Sequence, residues 1–353
     1  MTGLNHASRK QGGETRKLQV TGGSTYIVSL PKKWITKNQL KKGSSLTFFE
    51  EDDGSMSIQS STGFVREEKP EEALVKVSSN ENPDTIIRKT VSAYLIGYNM
   101  IHIKAREQQQ LSSRQRSAIK NFARDLLVGT EIVTDTPTEL TLQVLLSYPE
   151  LSIQSALRRM CIITSSMHKD ALTALKQLDS QLAKSVIATD DEVDRFNLYV
   201  IRQLKMAIQN PRIIREIGLS SARDCLGYRL VTKSVERAAD HAASIAENVL
   251  LLKKPMDEEV LKNLEEMSNL AVSMFETSIE ALFRLDFNVA ESVIQKTKEI
   301  NFTMKEALLS SKKIGTEEIA NIRLVIESLR RTAEYASDIA EIVLNLTVES
   351  VIG

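Results

Sequence analysis

Two stretches of this chain say nearly the same thing. Val235–Leu250, VERAADHAASIAENVL, and Leu329–Leu344, LRRTAEYASDIAEIVL, align without a gap and share Arg, Ala, Ala, Ile, Ala, Glu, Val and Leu. A repeat of this kind constrains the fold more than composition does, because each copy of a helical unit leaves an apolar face for its twin to cover. From Leu151 onward no strand signal remains, and Ile153, Leu157, Met160, Met167, Ala171, Ala174 and Leu178 recur at alternating four- and three-residue steps. That spacing is the seam of a bundle helix. Pro149, Pro211 and Pro255 punctuate the region, and Pro255 separates its halves. Each half reads as a long helix, a second helix carrying AKSVIATDDEVDRF or AESVIQKTKEINFT, and a third carrying the repeated stretch. The pattern predicts two three-helix bundles side by side, over residues 150–253 and 256–350.

A chain of 353 residues exceeds one ordinary core, and its first part is of another kind. KLQVTGGSTYIVSLP alternates apolar residues about TGGS, which predicts two short strands joined by a glycine turn. PKKWITKNQL then opens a single helical turn at Pro31. KKGSSLTFFEEDDGSMSIQS predicts a second hairpin, turning at EDDG. Residues 14–62 hold too few apolar side chains for a core of their own, so dimerisation through shared strands is expected. Trp34 reads as a core residue of this module. Residues 71–148 predict a small α+β domain of order βαβαββ, with Asn82 and Ser112 as helix N-caps and the helices on one face of the sheet. It has no phosphate-binding glycine loop, no CxxC and no GxSxG, and its role is open.

Acidic and basic residues balance at 46 each, so no global field draws the whole chain to a polyanion. The first fifty residues are the exception, with nine Lys or Arg against Glu14 and Glu50. Arg16, Lys17, Lys32, Lys33, Lys41 and Lys42 become a credible phosphate-backbone surface once a dimer doubles them. Cys161 and Cys225 sit in apolar helical patterns and read as buried thiols rather than a disulfide. The N-terminus lacks the apolar core of a signal peptide, and no apolar run reaches membrane-spanning length. A cytoplasmic protein with no membrane insertion is the expectation.

Charge in the helical half is concentrated in pairs. Asp190 and Asp194 stand four apart on one helix, and Glu236 and Asp240 have the same spacing on another. Residues i and i+4 share a helix face, so each pair projects two carboxylates together. If the helices are neighbours, four carboxylates meet, and a multivalent hard cation such as iron(III), magnesium, calcium or manganese would relieve their repulsion. In the second half the corresponding residues are Thr297, Asn301, Arg330 and Glu334. Arg330 places a positive charge where a ligand should be, and Glu334 with Asp338 remakes a pair one turn later as a possible weak second site. His241 follows the cluster but lies off its face, while His6, His102 and His168 read as ordinary. Ferritin-like carboxylate enzymes use Glu-x-x-His, and no histidine here has Glu three residues before it.

ERAADHAASIAE, with DDEVD on the preceding helix, is similar to the ERIGDHATNIAE-type signature of the PhoU phosphate-uptake regulators, and RRTAEYASDIAE is a degenerate form of it. Residues 16–59 resemble the AbrB/SpoVT swapped-hairpin DNA-binding domain in TGGSTYIVSLPKKW, LKKGSSL and GSMSIQS. Together with the α+β pattern of the middle region, these resemblances give a multidomain chain: an N-terminal all-β swapped-hairpin domain, a small α+β middle domain and C-terminal all-α tandem three-helix bundles. They also imply multinuclear iron or zinc, alternatively magnesium or manganese, at Asp190, Asp194, Glu236 and Asp240. The implied role is a non-enzymatic regulator of phosphate homeostasis, a homodimer binding DNA through its N-terminal domain. The alternative is control by protein contact alone, with the phosphate transporter ATPase or an associated signalling protein as partner.

Overall fold

The computed structural model describes residues 14–50, 54–60, 72–145, 151–209, 211–310 and 316–352. Internal contacts divide the chain into two units, Met1–Lys69 and Pro70–Gly353. The first holds two antiparallel hairpins, β1 (Gln19–Thr21) with β2 (Thr25–Ile27) and β3 (Leu46–Glu50) with β4 (Met56–Ser60), and the short helix α1 (Lys32–Lys37) between them. The β1–β2 turn uses Gly22 and Gly23 at φ of +61° and +85°, a region that side chains rarely adopt. Pro31 stands at the N-cap of α1. Among the described residues of this unit no side chain is fully buried. Trp34, expected in a core, is only half-buried, because one copy of the unit has no core to offer.

The second unit opens with a four-stranded sheet in the order β5-β6-β8-β7. Strand β5 (Glu72–Val77) pairs parallel with β6 (Met100–Ala105), while β8 (Glu139–Val144) runs antiparallel to both β6 and β7 (Thr130–Asp135). Helices α2 (Pro83–Ile96) and α3 (Ser113–Leu126) supply the crossovers. Both caps form as the sequence indicates: Asn82 accepts from Asp84 N at 2.9 Å, and Ser112 accepts from Gln115 N at 3.2 Å in a capping box. Strand alternation puts Ile101, Ile103, Leu140 and Leu142 into the core with Ile86, Tyr94 and Ile119 of the helices.

Two tandem bundles follow. The first consists of α4 (Ile153–Gln177), α5 (Ser180–Gln209) and α7 (Asp224–Leu251), with the short α6 (Pro211–Glu216) between α5 and α7. The second consists of α8 (Glu258–Arg284), α9 (Phe287–Gln295) with α10 (Thr297–Ser310), and α11 (Thr316–Thr347). The second helix of this bundle, expected to be continuous, is broken at Lys296, so the counterpart of α5 is two pieces. The elbow between first and second helix is written twice. Leu178 and Leu285 both adopt the left-handed region, at φ of 55° and 50°, and Asp179 N and Asp286 N reach back to Ala174 O and Ala281 O, each at 3.0 Å. Asp179 and Asp286 then cap the next helix. A leucine held there costs about 1–2 kcal/mol, and both copies carry it.

The bundles meet chiefly along α7 and α11 and more lightly along α4 and α8. Ala238, Ala239, Ala242, Ala243 and Ala246 of α7 are buried, as are Ala333, Ala336 and Ala340 of α11. At Gly227 an added Cβ would lie 3.2 Å from Leu346 and 3.3 Å from Ile342, so a larger residue there would press on both side chains. Between α4 and α8, Arg158 stacks over Phe283 at 4.0 Å, and Lys169–Glu276 and Lys176–Glu265 pair at 2.7 and 2.8 Å. Such exposed pairs contribute about 0–1 kcal/mol each, so apolar packing decides the arrangement. Cys161 and Cys225 are free and buried.

Helix α5 also anchors the sheet domain. Arg202, almost wholly buried, donates from its guanidinium to Tyr94 O, to Tyr98 O at 3.1 Å, to Gly97 O at 3.0 Å and to Asn99 Oδ1 at 2.8 Å. Three of these acceptors are backbone carbonyls at and just beyond the C-terminal end of α2, and the fourth is the Asn99 side chain. Gly97 ends that helix at φ +117°, and a Cβ there would lie 3.1 Å from Met206. Arg202→Met is expected to lower stability by about 3 kcal/mol, since hydrogen bonds to a charged donor are lost and buried acceptors are left unpaired. Denaturant unfolding checks the loss, and amide exchange should quicken in α2 but not in α8.

Candidate cation site on the first bundle

Asp190 and Asp194 of α5 and Glu236 and Asp240 of α7 come together where these two helices pack. Helical spacing turns each pair to one face, and the neighbouring Val193, Val235 and Ala239 fix that face by being fully buried. Burial pushes the Asp190 carboxyl up to about 7, with the charges of Asp240, Asp194 and Glu236 adding to it. Asp194 is pushed up to about 6, first by burial and then by Glu236 and Asp240. Asp240 rises too, through burial and Glu236, against the opposing pull of Lys233 and Arg237. Negative charge on this surface is therefore incompletely relieved.

Lys233 is the residue that sequence reasoning missed. Its ammonium donates to both carboxylate oxygens of Glu236, one helical turn away, and Glu236 is only 9% exposed. Among the described residues no group of three or more His, Cys, Asp or Glu side chains is arranged to hold a metal ion. The donor set fits a hard cation by its chemistry, all carboxylate oxygen, while one of its members is held by an internal ammonium.

The matching surface of the second bundle is closed. Arg330 donates to Glu327 at 2.9 and 2.6 Å and also to Glu334, and Arg331 bridges the same two acids at 3.0 and 3.1 Å. Glu334 is thus committed to two arginines. Asp338 is raised by burial and by Glu341 and Glu334, with Arg237 of α7 opposing them. The offset that aligns Glu236 with Arg330 aligns Lys233 with Glu327, so the same i,i+3 ion pair occurs in both repeats with its sign reversed. That reversal was legible in the sequence to anyone comparing the copies three residues further back.

The histidines lie elsewhere. His241 faces the second bundle and stacks on Tyr335, its counterpart in the repeat, at 5.8 Å. His168 is buried where α4 meets α7 and α11, its Nε2 2.8 Å from Ala238 O and 3.3 Å from Thr332 Oγ1, and burial pushes it down to about 4. His102 bonds Glu139 at 3.0 Å on the open face of the sheet. His6 lies outside the described residues.

In the N-terminal unit Arg16, Lys17, Lys32, Lys33, Lys41 and Lys42 are all exposed. Arg16 pairs with Glu14 at 2.6 Å.

A pair of helical bundles with an acidic face on one copy and a small hairpin module ahead of them defines a narrow class. Residues 157–249 and 264–343 match the PhoU domain model, once per bundle, and residues 19–61 match that of "Antidote-toxin recognition MazE, bacterial antitoxin". The chain belongs to the PhoU family and carries a MazE/AbrB-like N-terminal domain. Among curated relatives it is similar to the phosphate-specific transport system accessory protein PhoU homolog of Clostridium acetobutylicum, 21% identical over 54% of this chain and 88% of the relative. The homolog of the same name from Borreliella burgdorferi is 27% identical over 49% of this chain and 81% of the relative. The crystal structure of PhoU from Streptococcus pneumoniae superposes with a TM-score of 0.49 at 22% identity, covering 57% of this chain and 96% of that one. No described helix is long and apolar enough to cross a membrane.

The raised aspartates set a pH dependence. As pH climbs from about 4 the unfolded chain releases these protons first. The folded protein holds them until about 6 and 7, so the cluster removes stability across that window and the loss is complete above it. His168 acts in the opposite sense below its ordinary value, so the comparison must be with a variant. Asp190→Asn with Asp194→Asn should match wild type at about pH 4, pull ahead as pH rises through 5 and 6, and be clearly the more stable protein at pH 8. Thermal melts of chelator-treated protein across that range check this.

Proposed function

We infer that this protein regulates phosphate uptake, binding a multivalent cation at the acid cluster of its first bundle and DNA through its N-terminal unit as a homodimer. Membership of the PhoU family supports the phosphate role, since its relatives are named as accessory proteins of phosphate-specific transport. The observation that carries the cation reading is the difference between the repeats. Both keep the packing residues, but only the first keeps two aspartates side by side with no arginine bonded to them, raised by burial and then by the neighbouring acids. Iron or zinc would be held by Asp190, Asp194, Glu236 and Asp240, with magnesium or manganese as the harder alternatives, and would supply there the positive charge that these side chains lack. Glu236→Gln with Asp240→Asn should abolish most bound metal, while Glu334→Gln with Asp338→Asn should lose little. Metal analysis of the purified variants decides it; equal loss from both would make the second bundle a site as well.

The DNA reading starts from a deficit of core. Leu18, Val20, Tyr26, Phe48 and Met56 are each more than half exposed in a single copy of the N-terminal unit. A second copy would bury them and double the exposed lysines on its surface. Phosphate contacts of this kind release counterions, so affinity should fall steeply with salt. Lys32→Ala with Lys33→Ala should weaken binding to all sequences alike, because such contacts carry little base information. Gel shifts against regions upstream of phosphate-transport genes test it, and unchanged affinity in that variant would remove this surface from the DNA contact.

A second reading is favoured by the relatives' description as transport accessory proteins. Control would then pass by contact with the transporter ATPase or its signalling partner, the N-terminal unit serving only to dimerise. Capture of that ATPase by protein lacking residues 1–63 would support it, and loss of capture would not.

A further inference from the structure

We propose that Lys233 is a tethered internal cation of the acid cluster, holding Glu236 in the metal-free bundle and displaced when a multivalent metal ion binds. The inference rests on the cation reading of the cluster given above and concerns what that ion must compete with. Four observations lead to it.

First, the ammonium of Lys233 serves both oxygens of Glu236, so an ion that takes up that side chain must compete with the ammonium for them. Second, the Glu236 side chain is 11% exposed while Lys233 is 36% exposed. Water can therefore receive the lysine if it leaves, but cannot stand in for it beside the glutamate. Third, the charge of Lys233 reaches Asp194 and Asp240 as well as Glu236, so one ammonium faces acids on both helices. Arg237 is the other cation acting on Asp240; it is exposed and lies 5.8 Å over the Tyr335 ring on the side of the second bundle. Fourth, the second repeat has the pair with its sign reversed. There Glu327 and Arg330 close on each other, with Arg331 and Glu334 completing a neutral set. A neutral set has nothing to gain from a metal ion. The first repeat has four carboxylates against Lys233 and the more distant charge of Arg237, which is enough to hold Glu236 but not to neutralise its neighbours.

An ammonium on the same helix competes at an effective concentration that a free ion must match. Monovalent cations, with one charge each, have no advantage over it. A di- or trivalent ion does, because it engages several carboxylates at once. Lys233 thereby sets both the threshold of the site and its preference for multivalent ions.

The test is calorimetric titration of chelator-treated, full-length protein with manganese(II) chloride, paired with thermal melts in EDTA and in excess Mn²⁺. Lys233→Met should bind Mn²⁺ at least tenfold tighter than wild type. It should melt lower than wild type in EDTA, and the deficit should vanish in excess Mn²⁺, where the lysine has already left its partner. Lys233→Arg should restore wild-type behaviour in both measurements. Lys233→Gln, which keeps a polar stem without the charge, takes its place if the methionine variant does not fold. Wild type that binds Mn²⁺ beside a Lys233→Met variant that binds it no tighter overturns the displacement alone. If neither wild type nor variant binds Mn²⁺, the cation reading of the cluster fails and the displacement fails with it.

Discussion

The close approach of α7 to α11 is the contact on which the rest of the helical body depends. Gly227 of α7 takes the Ile342 and Leu346 side chains of α11 against its backbone, and further along the imidazole of His168 is shared between Ala238 of α7 and Thr332 of α11. Helix α7 also packs on α4 and α5, so it is shared between its own bundle and its twin. Equivalent residues meet across this contact. His241 stacks on Tyr335, Arg237 lies over Tyr335, and the charge of Arg331 acts on His241. Paired interactions of this kind are what a duplicated unit gives when its two copies pack about a pseudo-twofold axis.

Once that contact is fixed, the opposite sides of α7 and α11 were free to diverge. Burial kept Ile245, Ala246 and Val249 in the first copy and Ile339, Ala340 and Val343 in the second. No such restraint acts on a half-exposed charge, and an ion pair at positions three apart is equally good with either sign order to within a few tenths of a kcal/mol, roughly. The two repeats exploit that indifference in opposite senses. One is a self-contained salt-bridge set, and the other holds an excess of carboxylates at a cost in stability.

Much of this could be read from the residues alone. Bundle helices, duplicated order, sheet domain and helix caps follow from periodicity and capping chemistry, which are local properties. The pairing of Asp190 and Asp194 with Glu236 and Asp240 followed from spacing together with the assumption that their helices are neighbours. What escaped reading was long-range or subtle. Nothing near Arg202 announces that its partners lie at the end of a helix about a hundred residues earlier. The break at Lys296 carries no proline or glycine. Trp34 looked like core because a large aromatic usually is, yet a module this thin has no interior in one copy. Lys233 was hidden by the habit of reading acids for ligands without asking which cation already stands among them.

Helix α5 carries both the aspartates of the cluster and the arginine that grips the sheet domain. Asp194 and Arg202 are separated by about 12 Å along one unbroken helix. A rigid rod of that length neither stretches nor compresses under forces of this size. Any event that draws α5 along its axis at the acidic face must carry Arg202 with it, and the end of α2 and the sheet behind it must follow or let go. The charged surface and the domain of unassigned role are in this sense two loads on a single beam.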